Sequence, residues 1–105
     1  MSDYIQVTTT LERQEDAERI ARTLVECRLA ACVQVLGPIA STYHWQGSLE
    51  TTREWLCLIK SRAGLYAQIE EAIRKAHPYQ VPEIVAVPIV AGSQSYLEWL
   101  DENVS

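Results

Sequence analysis

The chain has 105 residues, 48% hydrophobic and 22% charged, with a formal net charge of −5. That composition fits one globular domain over residues 1–105 with a modest core. The acidic balance without any basic cluster argues against nucleic acid, and no apolar run approaches the roughly 20 residues of a membrane helix.

In chain order, residues 4–8 (YIQVT) alternate and are rich in β-formers, so a strand is expected. Over 14–28 the period becomes helical, with Ala17, Ile20, Ala21 and Leu24 on one stripe. Glu12, Glu15, Asp16 and Glu18 crowd the start of this helix, and Arg22 and Arg28 lie toward its end. These charges complement the helix dipole and need no acidic site to explain them. A second strand is expected over 31–36, bent or interrupted at Gly37-Pro38 and continued over 39–45. Gln46-Gly47-Ser48 supplies a turn. The apolar run 55–59 (WLCLI) reads as a strand buried on both faces or in an interface. Leu65, Ile69, Ala72, Ile73 and Ala76 form a second helical stripe. Residues 83–90 read as a strand that Pro88 restricts to a sheet edge. A short third helix over 96–103 follows, with a serine near its start as cap.

The order β-α-β-β-α-β-α describes an α+β chain, a ferredoxin-like split βαβ sandwich. One helical layer leaves the other sheet face bare, so assembly through that face is expected. The prolonged second strand is long enough to pair with a neighbouring subunit by strand addition. No internal repeat or linker interrupts the chain.

Three cysteines, Cys27, Cys32 and Cys57, are an odd number without C-x-x-C spacing, which suits reduced thiols in the cytoplasm. The terminus Met1-Ser2-Asp3-Tyr4 lacks the basic and apolar regions of a secretory signal. Cys57, inside an apolar run, and Cys32 read first as small buried residues.

The chemistry concentrates in His77-Pro78-Tyr79-Gln80-Val81-Pro82-Glu83-Ile84. Each proline fixes its own φ and pushes the residue before it out of the helical region, so His77 and Val81 should be extended. The prolines could simply end a helix and begin a strand; they could also hold an imidazole, a phenol and a carboxylate in a stiff loop. Lys60 ends the apolar run, either as a solvent-seeking side chain or as a cation meeting Glu83 or an anionic ligand in a cleft. Tyr43 and Trp45 share a strand face, as interface packing or as the wall of such a cleft. No phosphate-binding glycine loop, nucleophile elbow or H-E-x-x-H pattern is present, and no catalytic residue is assigned. A metal site would have to draw on His77, His44, the cysteines and scattered carboxylates.

Taken together, Arg28-Leu29-Ala30-Ala31-Cys32-Val33, Ser41-x-Tyr43-x-Trp45-x-Gly47, Leu58-Ile59-Lys60-Ser61, the HPYQVPEI stretch and Tyr96-Leu97-x-Trp99 resemble the divalent-cation tolerance (CutA) family over roughly residues 5 to 100. The resemblance implies a tight homotrimer, similar in fold and assembly to the nitrogen-regulatory PII signalling proteins. It implies a link to divalent cations such as copper but no settled activity; with no nucleophile-base pair or strong metal set in the sequence, a binding or signalling module, not an enzyme, is expected. A small-anion or nucleotide-binding module, or an enzyme using His77 as general base, is the alternative. The candidate cleft residues are Lys60, His77, Tyr79, Glu83, Tyr43 and Trp45, with His77 and Cys32 as candidate metal donors. Family members proposed to bind copper can carry a cysteine at the end of the first strand and a second histidine before HPY. Here Thr9 and Ala76 stand near those places.

Overall fold

The computed structural model describes residues 3–105; the Met1-Ser2 part of the terminus read as lacking a secretory signal lies outside them. The elements are β1 (Tyr4–Leu11), α1 (Gln14–Glu26), β2 (Cys32–Trp45), β3 (Ser48–Arg62), a 3₁₀ turn (Ala63–Leu65), α2 (Tyr66–Ala76), β4 (Val85–Pro88) and α3 (Gln94–Glu102). The strands form one antiparallel sheet in the order β2-β3-β1-β4. This is the expected ferredoxin-like arrangement, with the proline-bearing β4 at an edge.

Strand alternation divides the sheet into two faces. Ile5, Val7 and Leu11 of β1 and Cys57 and Ile59 of β3 turn toward the helices. They pack against Ile20 and Leu24 of α1 and Ile69 and Ile73 of α2, all essentially buried. Cys57 is sealed in this layer, where burial pushes its thiol up to about 11. The alternate set, including Leu36, Leu56, Leu58, Val85 and Val87, points the other way. Within one chain the 55–59 run is therefore buried on one face only. The helices are not confined to one face either. α3 meets the sheet end that carries Tyr4 and Arg62, both of the alternate set, and both reach Asp101, at 2.8 and 3.2 Å. Leu100 and Val104 pack there against Ala31.

The observed α1 ends two residues earlier than expected. Arg28 lies beyond it with φ 59°, and its guanidinium donates to the Glu102 carbonyl at 2.7 Å. It ties the C-terminal segment down instead of complementing the helix dipole. The acidic first turn, Glu15 and Asp16, is as read. α3 begins earlier than expected, at Gln94, with the Ser93 hydroxyl accepting from the Tyr96 N–H at 3.3 Å.

β2 and β3 form a long hairpin that leaves the body of the molecule. The radius of gyration is 14.2 Å and the extents are 45 × 25 × 23 Å, whereas a compact chain of this length has a radius of about 13 Å. The turn is Gln46-Gly47, both at positive φ, closing between Trp45 and Ser48. Two residues at positive φ match the right-handed twist of the flanking strands. Gly37-Pro38 bends β2 without interrupting it. From Leu36 to Ile39 the strand advances three residues while its partner advances two, from Leu56 to Glu54. The extra residue is a bulge that turns the distal arm.

Candidate functional site

The HPYQVPEI stretch joins α2 to β4. α2 makes its last backbone bond from the His77 N–H to the Ile73 carbonyl at 2.8 Å, and His77 is then extended, with ψ 131°. Pro78 has no N–H to continue the helix, which is why the chain turns here. At the far end of the loop Tyr66 donates its hydroxyl to the Ile84 carbonyl at 3.3 Å.

His77 is a latch. Its Nδ1 accepts from the Tyr79 N–H at 3.2 Å, which places the ring proton on Nε2. Nε2–H donates to the Thr10 carbonyl of β1 at 2.8 Å. The ring is 8% exposed, and burial lowers its pKa below the usual histidine value. The neutral form is therefore the one this arrangement selects. Tyr79 packs its ring edge-on against the imidazole, with centroids 4.6 Å apart. Its hydroxyl donates to Oε2 of Glu54 at 2.7 Å. Burial first, and the Glu54 bond second, push the Tyr79 phenol well above its usual value, so it stays a donor.

Between this loop and the hairpin arm lies a cleft of about 770 Å³. Tyr43, Trp45, Tyr79 and Glu83 line it, with Glu12 and Glu54. Four of the six residues expected at a cleft thus converge on it. Glu83 also accepts from the Thr8 hydroxyl at 3.4 Å. His77 stands behind the Tyr79 wall and fixes it without lining the cleft. Lys60 is elsewhere. It lies six residues along β3 from Glu54, roughly 20 Å at strand rise, and its Nζ donates to Oε1 of Gln34 at 2.6 Å. The expected Lys60–Glu83 pairing does not form. Cys32 sits opposite Lys60 in the sheet, far from Thr10 and the His77 ring that bonds it. Two acidic members of the cleft escaped sequence reasoning. Glu54 precedes the WLCLI run by one residue, and its only signal was a charge abutting an apolar strand. Glu12 was read with the helix start.

The donor set does not fit a metal held within one chain. Both imidazole nitrogens of His77 are engaged, Cys32 is remote, and no group of three His, Cys, Asp or Glu side chains converges among the described residues.

Comparison with known proteins gives one consistent answer. The family described as CutA1 divalent ion tolerance protein matches residues 5–103. The divalent-cation tolerance protein CutA of Thermus thermophilus is 44% identical over 97 residues, 92% of this chain and 94% of that protein. The chloroplastic CutA protein of Arabidopsis thaliana is 40% identical over 99 residues, 94% of this chain but 54% of its own length. Among solved structures, CutA1 from Oryza sativa superposes with a TM-score of 0.96 at 36% identity, covering 99% of this chain and 95% of that one. The Thermus thermophilus structure gives 0.94 at 42%, covering 97% and 99%. Sequence and fold agree, and the chain belongs to the CutA divalent-cation tolerance family.

Proposed function

We propose that this protein is a trimeric binding module of the cytoplasm that recognises cations at the cleft, as part of the cell's response to divalent metal ions such as copper. The observation that carries this reading is the charge of the lining. Glu12, Glu54 and Glu83 all face the cleft, no lysine or arginine does, and none of the three has an ion-pair partner among the described residues. Such a lining attracts cations and repels the small anions and nucleotides of the alternative reading. An enzymatic role for His77 is disfavoured because both its nitrogens already hold the loop. Copper at His77 would have to open one of those bonds and displace a proton, so binding there is weak and pH-dependent.

The trimer is supported by the uncovered sheet face. Leu36, Val85 and Val87 are about half exposed, and Leu56 and Leu58 are partly so. Completing the burial of a side chain already half-buried contributes about 1 kcal/mol, roughly half the value for full burial. Sedimentation equilibrium at micromolar concentration tests the assembly; a well-folded species of 11.9 kDa refutes it. Calorimetric titration of CuCl₂ at pH 7.5 and 5.5 tests the cations. We expect weak binding at pH 7.5 that drops in Glu54→Gln. Absence of any cation binding to the wild-type protein refutes the reading.

A further inference from the structure

We propose that the cleft takes an organic cation head, an ammonium or guanidinium group, with the Glu54 carboxylate as counter-charge and the rings of Tyr43 and Tyr79 as walls. This deepens the cation reading of the same cleft and rests on it. Four features select the ligand class. A volume of about 770 Å³ is that of a small-molecule site, far larger than a bare ion needs. A metal wants several convergent donors, and among the described residues none converge. An anion meets carboxylates without any lysine or arginine. A neutral apolar ligand would leave those carboxylates buried without compensation.

Glu54 is the focus. It is only 6% exposed, yet its one hydrogen bond comes from a neutral group, the Tyr79 hydroxyl on Oε2. Its Oε1 has no partner among the described residues. Its Oε2 is held by a neutral donor, and its other oxygen is left to the cleft, where a cation would meet it with charge-assisted hydrogen bonds. Tyr79 cannot serve as that cation, and Lys60 is tied to Gln34. Tyr43 is about two-fifths exposed on the arm side. The Tyr43 hydroxyl is within hydrogen-bonding distance of that of Thr52, at 3.1 Å, so the ring is anchored from its own strand pair. Aromatic faces attract ammonium and guanidinium groups through the ring quadrupole, and a carboxylate adds charge-assisted hydrogen bonds. The same head could arrive as a free amine or as a lysine or arginine of a second copy of this chain. The site recognises both by one chemistry.

The test is calorimetric titration of the full-length protein with butylguanidinium and with its uncharged isostere butylurea, for wild type and Glu54→Gln. Glutamine keeps the shape of the site and an acceptor for Tyr79. We expect butylguanidinium to bind wild type at least tenfold more tightly than butylurea, and Glu54→Gln to remove most of that difference. Equal binding of the two probes, or equal discrimination in the variant, overturns the proposal. Should Glu54→Gln fail to fold, the wild-type Tyr43 ring resonance decides. It shifts with butylguanidinium and not with butylurea if the proposal is right, and responds to both or neither if it is wrong. Sedimentation of the same samples separates the sources: butylguanidinium lowers the assembly mass if it displaces a neighbour's side chain, and leaves it unchanged if the natural head is a free amine. A parallel MnCl₂ titration separates this inference from the cation reading. Manganese binding without butylguanidinium binding defeats the organic-cation proposal alone, and binding of neither defeats both.

Discussion

The Tyr79 hydroxyl donates to Glu54 at 2.7 Å across 25 residues of sequence, tying the loop after α2 to the middle of β3. His77 makes the companion tie to β1 through the Thr10 carbonyl. The two prolines stiffen the segment between helix and strand, and these two bonds set where that stiff segment lies. One wall of the cleft follows from them.

Tyr79→Phe removes the hydroxyl and leaves the Glu54 carboxylate without a donor. Losing a hydrogen bond to a charged group costs about 1.5–3 kcal/mol. Urea unfolding at fixed protein concentration should show that loss, since assembly makes stability concentration-dependent. In the Glu54→Gln background the same change should cost clearly less, and additive effects would show that the bond carries no coupling energy.

The helices were legible because each is a single apolar stripe. Ala17, Ile20 and Leu24, then Ile69 and Ile73, sit at helical spacing and face one core. The distal half of the hairpin was not. Residues 48–54 (SLETTRE) are mostly solvated in the arm, so no apolar alternation marks them as strand, although they pair with β2 throughout. The cleft was half legible for a related reason. The HPY loop brings its groups together within a few residues, and Tyr43 and Trp45 share a face by simple alternation. Glu54 joins them only through the register between β2 and β3, offset by the bulge at Gly37-Pro38. Parity alone puts Lys60 on the same face as Glu54; only the distance along the strand separates them.

Acid should loosen the HPY latch. Unfolded His77 titrates near 6.5, and burial lowers the folded value. Between the two values the unfolded chain binds the extra proton, so stability falls as pH drops below about 6.5. Protonation also ends the acceptor role of Nδ1 toward the Tyr79 N–H. Melting temperatures at pH 7.5 and 5.5 should show a smaller acid shift for His77→Gln than for wild type. An equal shift would place the acid sensitivity in other groups.

Thr9 carries a fully buried hydroxyl without a hydrogen-bond partner in the core between β1 and the helices. Valine has the same shape and no polar atom to desolvate. Thr9→Val should leave the fold intact and raise stability by up to about 1 kcal/mol. Differential scanning calorimetry checks the sign; a clear loss would mean the hydroxyl finds a partner in solution.

Gly37 has no room for a side chain. A Cβ there would stand 2.5 Å from Cδ1 of Trp55, whose indole lies against the backbone at the bulge. Trp55 is partly buried and packs on the main core, so it cannot move away freely. Gly37→Ala should therefore destabilise the protein by about 1–3 kcal/mol, the usual cost of overpacking. The effect should reach the cleft as well, because the bulge sets the angle of the arm that carries Tyr43 and Trp45. Pairing Gly37→Ala with Trp55→Leu opens space at the contact and should recover part of the stability lost to the alanine. Urea unfolding of the single and double variants measures this. If Gly37→Ala costs the same in both backgrounds, the indole contact is not the reason glycine stands at this position.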